Sequence, residues 1–362
     1  MPRAPVPDPS AITARRLPTG TPDPDSQNHL MNTPPLRWAV VGTGWVAADF
    51  VAPGIVKSPG SRLVACLGSS ADKSRAFAAK FAVPHAHGDL AGLLANPEVD
   101  AVYIALPNAM HHAAVLAAAR AGKHILCEKP FAMQSAEARE MVEACDHAGV
   151  VLRIAHQIRL DAAVARAREI VRSGRLGRLA AVSLERASGL GARLSWRNDF
   201  AQSGVIYDVG VHLLDLVQYV TGRRFVEVSA FSHPDRREGS PDDTITVLGR
   251  LEGDCHALAR ATREVGNAEN NLIVEGAEAT LVTSPLRFAR EHVITIRDAR
   301  GGFAQERFEA SPAYDLQVAA FEADVRGQRS LLPDGKDAAW TVAVTHAVLQ
   351  SIHERRIVTV AP

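Results

Sequence analysis

Apolar positions divide the chain into two rhythms. From residue 36 a short apolar run, 36–41, gives way at a glycine turn to a segment with helical spacing, 45–56. The alternation then repeats: strand 62–67, helix 72–81, buried strand 101–106, an alanine-rich helix 111–121 ended by Gly122, and strand 124–127. Ser135 is the expected cap of a further helix that runs to about residue 147, with Glu137 and Glu140 near its positive end and Gly149 closing it. Residues 150–155 return to strand. Strand and helix alternating in this way predict a parallel sheet with helices on both faces.

After Asp161 the rhythm changes. One helix to about residue 173 is followed by extended stretches at 179–186, 225–232, 244–251, 256–262, 271–275 and 293–297, a run that predicts a largely antiparallel sheet. Two late helical patterns, 314–326 and 337–355, are expected to pack back across both parts. Residues 1–33 differ in kind. Their prolines alternate with small and polar residues without apolar periodicity, which predicts a disordered leader. Arg15 and Arg16 precede a polar, proline-broken stretch instead of an apolar export segment, and Met31, just before the first strand, is an alternative start.

Composition narrows the partner. The chain carries 40 basic and 40 acidic residues, so no bulk field exists to recruit nucleic acid or an anionic membrane, and a small molecule is the expected partner. No apolar run is long enough to cross a bilayer. Cys66, Cys127, Cys145 and Cys255 lie far apart with no C-x-x-C pair, which argues against zinc and against a disulfide framework and points to the cytoplasm. His85-x-His87 and His111-His112 lack companion ligands, so no metal site is expected and these are read as loop or helix-surface histidines. No G-x-S-x-G elbow marks a nucleophilic hydrolase.

Gly42-Thr43-Gly44-Trp45-Val46-Ala47 fits G-x-G-x-x-A directly between the first strand and the first helix. Gly42 permits the tight turn, Gly44 lets the backbone approach a pyrophosphate, and Ala47 permits close packing of helix on strand. The first part of the chain is therefore read as a Rossmann dinucleotide-binding domain. The end of the second strand, Gly68-Ser69-Ser70-Ala71-Asp72-Lys73-Ser74-Arg75, carries no acid at the strand end itself. Ser69, Ser70 and Lys73, with Arg75, suit a ribose 2′-phosphate and favour NADP; Asp72 is the residue through which NAD remains the alternative.

Two further clusters carry chemistry. Glu128-Lys129-Pro130 follows the strand 124–127 and puts a lysine at the carboxyl end of a parallel strand, where open α/β sheets bind ligands. Gly204-Val-Ile-Tyr207-Asp208-Val-Gly210-Val-His212-Leu-Leu-Asp215 places Asp208 and His212 on one face at helical spacing, a carboxylate able to orient an imidazole that moves a proton.

The glycine turn, Glu-Lys-Pro and the D-x-G-x-H-x-x-D segment, in this order, resemble the Gfo/Idh/MocA oxidoreductase family over nearly all of the chain from about residue 36. The resemblance implies an α/β architecture: an N-terminal Rossmann domain with a parallel sheet, 34–156, plus a C-terminal α/β domain with a large, mainly antiparallel open sheet, 157–362. It implies that this open sheet builds homodimers or homotetramers, and that the substrate is a sugar, polyol or related molecule. Within the family the chain is most similar to reductases and dehydrogenases of sugar carbonyls. That likeness implies cofactor contacts from Leu106, Pro107, Asn108 and His111, from Glu128 and Lys129, from Trp196 and Arg197, and from Tyr314. Ala155 departs from the asparagine expected before His156.

The expected reaction is hydride exchange between nicotinamide and a carbonyl or secondary alcohol carbon, with His212 as acid/base, Asp208 orienting it and Lys129 polarising the oxygen. His156 and Arg159 are candidate substrate donors. Two other readings share these residues in part: a glycosidase or lyase that oxidises its sugar transiently on a retained cofactor, and a non-catalytic dinucleotide sensor.

Overall fold

The computed structural model describes residues 34–188, 203–265, 270–285 and 291–361. Six parallel strands form the first sheet: β1 (Leu36–Val41), β2 (Ser61–Leu67), β3 (His85–His87), β4 (Ala101–Ile104), β5 (His124–Cys127) and β6 (Leu152–Ile154). They lie in the order β3-β2-β1-β4-β5-β6, so the strand order reverses between β1 and β4, the crevice at which open α/β sheets take ligands. Alternation along β1 sends Trp38 and Val40 to one face and Ala39 and Val41 to the other, and both sets are buried. Helices cover both faces, which is why this strand is apolar without interruption from Trp38 to Val41.

One face is closed by α1 (Ala52–Lys57), which continues a π turn at Ala47–Val51, and by α2 (Ala71–Phe81). The other is closed by α3 (Leu90–Leu94), α4 (His111–Arg120) and α5 (Ser135–Ala148). The expected Ser135 cap is corrected: Gln134 is the cap, and its amide and the Glu137 carboxylate exchange hydrogen bonds with each other's backbone. Gly149 ends the helix in the left-handed conformation.

The second sheet follows α6 (Ala162–Arg172), whose first turn is capped by Asp161. Its strands are β7 (Leu179–Ala187), β8 (Phe225–His233), β9 (Thr244–Leu251), β10 (Cys255–Thr262), β11 (Leu272–Gly276), β12 (Ala279–Ser284), β13 (Glu291–Asp298), β14 (Phe303–Glu309) and β15 (Val358–Thr359). The order is β14-β13-β12-β11-β7-β10-β9-β8-β15, and among these strands only β7 and β10 run parallel. A mainly antiparallel open sheet beside a parallel one is the α/β architecture that the sequence predicts. One face packs on α6, α7 (Val211–Thr221) and α9 (Gly335–Glu354). Phe231 and Leu248 are exposed on this sheet.

The chain returns to the first sheet before it ends. Phe321 of α8 (Ala313–Val325) packs against Trp38 of β1, the rings tilted and their centroids 4.9 Å apart, and α9 lies against both α5 and β8. Four strands went unread in the sequence. β3 and β15 are three and two residues long, and β14 lies at a sheet edge with Gln305, Glu306 and Arg307 in its middle; β12, an inner strand of six residues, does alternate, burying Ala279, Leu281 and Thr283. His85 and His87 accordingly sit on a strand and not on a loop or helix, with His85 Nε2 at 2.6 Å from Glu98 Oε2.

Candidate active site

Gly42 adopts φ +99° because the turn from β1 passes under the end of β4; a Cβ there would lie 2.3 Å from the Ala105 carbonyl oxygen. A Cβ at Gly44 would meet nothing within 4 Å. The turn therefore has one glycine crowded against the fold and one facing open space, the arrangement a pyrophosphate needs at a helix N-terminus. Trp45 and Phe50 pack edge to face, and Phe50 stacks on Tyr314 at 4.7 Å, which brings the start of α8 beside this turn. Ala47 is buried beneath.

The end of β2 lies alongside. A Cβ at Gly68 would collide with Thr43 Oγ1 at 2.7 Å and touch Lys73 Cβ at 3.0 Å, so the glycine turn and the head of α2 are in contact. Ser70 caps α2, and Lys73 Nζ donates to Ser69 Oγ at 3.0 Å. Arg75 is paired with Asp72 on the exposed face of α2.

At the switch in strand order, β4 leads into Leu106-Pro107-Asn108 and β5 into Glu128-Lys129-Pro130, whose Lys129–Pro130 bond is cis. His111 bridges these two loops: Nδ1 lies 2.8 Å from the Pro130 carbonyl and Nε2 3.0 Å from that of Leu106. Burial lowers its pKa, against the Pro130 and Leu106 carbonyls, which favour the protonated ring. With no exposed surface, His111 shapes the cofactor-side loops from behind. Glu128 is buried, and Tyr103 donates its hydroxyl to Glu128 Oε1 at 2.5 Å. Burial raises the Glu128 pKa against the pull of Lys129.

Lys129 reaches across to the second part of the chain. Its Nζ donates to the Asp208 carbonyl at 2.9 Å and lies 3.4 Å from Asp208 Oδ1, a contact between residues 79 apart in sequence. Asp208 occupies a π turn, Ile206–Gly210, that runs into α7. The turn is fixed by Gly204 and Asp242: Gly204 adopts φ +108°, where a Cβ would strike Asp242, and Asp242 Oδ2 accepts from Ile206 N at 2.8 Å. Arg236 completes the support by pairing with Asp242.

His212, in the first turn of α7, meets His156 edge to face with ring centroids 5.3 Å apart. His156 is fully enclosed and its pKa is pushed down to about 4 by burial, against the attraction of Asp215, whose Oδ2 lies 3.7 Å from His156 Nδ1. Asp215 is held by Arg159 in a bidentate pair, Nη2–Oδ1 2.6 Å and Nε–Oδ2 2.8 Å.

Comparison with known proteins places the chain in a family. Residues 36–156 match the oxidoreductase family described by its NAD-binding Rossmann fold, and residues 164–282 match the GFO/IDH/MocA C-terminal domain. A 1,5-anhydro-D-fructose reductase of Ensifer adhaerens is 32% identical over 87% of this chain and 96% of its own length. The chain belongs to the Gfo/Idh/MocA oxidoreductase family. A trans-1,2-dihydrobenzene-1,2-diol dehydrogenase of Bos taurus is 33% identical over 61% of this Gfo/Idh/MocA chain and 66% of its own. Among solved structures, an aldose-aldose oxidoreductase of Caulobacter crescentus complexed with glycerol superimposes with a TM-score of 0.79 at 26% identity, over 90% of this chain and 99% of the other. The protein is thus an oxidoreductase built on a dinucleotide-binding Rossmann fold and uses a nicotinamide cofactor.

The structure brings Lys129, Asp208, His212 and His156 of this Gfo/Idh/MocA chain together, and lays Thr43, Ser69 and Lys73 beside the glycine turn. Trp196 and Arg197 lie outside the described residues. Arg159, expected as a substrate donor, is instead buried and committed to Asp215 and Asp337, because an enclosed guanidinium requires a carboxylate. Asp215 stood in the motif without a role; its function as the anchor between Arg159 and His156 needed the fold. Tyr103 and the Arg236–Asp242 support carried no local signal, although the left-handed Gly204 that opens the Asp208 segment was a visible glycine.

Proposed function

We propose that this protein is an NADP-preferring reductase or dehydrogenase that exchanges a hydride between nicotinamide and a carbonyl or secondary alcohol carbon of a sugar, polyol or related molecule. The observation that carries the reading is the Lys129–Asp208 contact, which closes the carboxyl end of β5 against the π turn and sets Lys129 and His212 at one site. The Ensifer and Caulobacter relatives, named for sugar substrates, support the substrate class.

When bound, nicotinamide supplies the hydride donor or acceptor. Lys129 Nζ polarises the substrate oxygen, and the main-chain and side-chain oxygens of Asp208 aim that ammonium. His212 gives or takes the proton at the same oxygen. His156, neutral near pH 7, offers the substrate or His212 an uncharged ring and does not compete for the proton. The glycine turn fits a pyrophosphate through Gly44, and Leu106, Pro107, Asn108, Glu128 and Tyr314 border the cofactor side. Ser69, Ser70 and Lys73 suit the 2′-phosphate, with Arg75 behind them; the pairing of Asp72 with Arg75 supports NADP over NAD.

Residues 34–156 then serve as the dinucleotide domain and 157–362 as the substrate and oligomerisation domain, joined as a cytoplasmic homodimer or homotetramer through the open sheet. The exposed Phe231 and Leu248 and the four free cysteines support this placement. Among the described residues no helix is long and apolar enough to cross a membrane. Titrating cofactor-stripped protein with NADPH and NADH, then assaying keto-sugars and polyols, tests the reading: tighter NADPH binding with turnover of a sugar supports it, and binding of neither dinucleotide overturns it.

A further inference from the structure

A polar cavity of about 490 Å³ opens beside Arg159, the residue that holds Asp215. Its walls are α6, the end of α7, the first turns of α9 and the loop that follows α8. Arg168, Arg172, Arg224 and Arg329 line it, and none of these four pairs with a carboxylate among the described residues. Arg223 joins them, held by the main-chain carbonyls of Glu252 and Gly253 at 3.2 and 3.0 Å.

The guanidinium groups are not loose. Arg168 lies 4.9 Å over the Tyr219 ring, Arg224 lies 4.7 Å over the Trp340 ring, and Arg172 rests against Gly222, where a Cβ would be 2.7 Å from Nη2. Two donors at this cavity, Arg168 Nε and Trp340 Nε1, are buried without a protein acceptor. The two carboxylates in the wall are already in use: Asp334 accepts from Asp337 N at 2.9 Å, and Asp337 faces Arg159 at 3.4 Å.

We propose that this cavity binds a small anion bearing two or more phosphate groups, at a site distinct from the dinucleotide cleft. Several planar guanidinium groups lining one cavity suit the bidentate geometry of phosphate oxygens, and the Tyr219 and Trp340 rings beneath two of them limit their motion. The cavity belongs to the joint between the two sheets: Arg153 of β6 lines it from one side, anchored to Asp324 at 2.9 Å, and Arg168 and Arg172 line it from the other.

The test is calorimetric titration of the protein, first saturated with its nicotinamide dinucleotide so that the glycine turn is filled, at constant ionic strength. Inorganic pyrophosphate and a hexose bisphosphate are the probes and sodium chloride is the control. The proposal expects sub-millimolar binding of at least one probe, weakened about tenfold or more in an Arg168→Gln/Arg224→Gln variant that keeps its dinucleotide affinity. Arg329→Gln, a change on an exposed loop, gives the same direction if the double variant does not fold. Tighter binding of the hexose bisphosphate assigns the site to an organic phosphate ester, and equal or tighter binding of pyrophosphate assigns it to a free polyphosphate. Binding of neither probe, or binding that the Arg168, Arg224 and Arg329 variants leave unchanged, overturns the proposal.

Discussion

Asp208, His212 and Asp215 follow one another along the same turn and helix, yet they belong to opposite kinds of polar cluster. Asp208 and His212 share a cluster with Lys129 and His156 that keeps a side toward the cleft: Lys129 and Asp208 side chains remain 16% and 24% exposed. Asp215, one turn on, is sealed, with both oxygens taken by Arg159 and 1% of its side chain exposed. The first arrangement suits proton handling and electrostatic work on a ligand, whereas the second suits fixing one helix against the loop after β6. A motif that reads as one constellation in sequence is two devices in space.

The comparison breaks most visibly in kinetics. Lys129→Met and His212→Ala are each expected to lower turnover by about 10²- to 10⁴-fold while thermal midpoint and dinucleotide affinity stay near wild type. Full turnover in both would merge the two clusters into one structural set. Asp215→Ala should do the reverse, costing about 3–5 kcal/mol in urea unfolding because a buried guanidinium loses its bidentate partner and keeps only the longer contact to Asp337; adding Arg159→Met should recover much of that loss. If Asp215→Ala is as stable as wild type, the sealed cluster is not a scaffold.

Acid sharpens the boundary between them. Burial holds the folded His156 ring near pKa 4, below the 6.5 of a free ring, so the unfolded chain takes up a proton that the native ring refuses. That contribution to stability is complete above about pH 6.5 and is lost as pH falls through 4, a change of about 3 kcal/mol. Thermal midpoints measured between these limits should fall less steeply for His156→Asn than for wild type; parallel curves would contradict the enclosed neutral ring. The smallest effect concerns the cofactor: Lys73→Ala should weaken NADPH about tenfold and NADH little, and equal losses for both would remove the 2′-phosphate assignment.

Legibility followed the range of the physical signal. The parallel sheet was readable because β1, β4 and β5 are apolar runs punctuated by turn residues, and the glycine turn because Gly42 must be glycine wherever the chain adopts φ +99° against a backbone oxygen. The Lys129 and His212 positions were readable as motifs. Their mutual placement was not, since the Lys129–Asp208 contact joins residues 79 apart. Arg159 looked like a free donor because its partner lies on a different helix, 56 residues away. Ser135 lost the cap to Gln134 by one residue, the usual scale of uncertainty at a helix end. Trp196 and Arg197 fall outside the described residues and remain expectations from resemblance.

The most direct measurement of the central claim follows the hydride itself. Protein is incubated with nicotinamide dinucleotide deuterated at its transferable position and a panel of keto-sugars, and the product is read by mass spectrometry and NMR. The account predicts stoichiometric deuterium on the new carbinol carbon, with one equivalent of cofactor oxidised per product and the signal lost in Lys129→Met and His212→Ala. Sugar converted without net cofactor oxidation, or deuterium transfer undiminished in both variants, would contradict it.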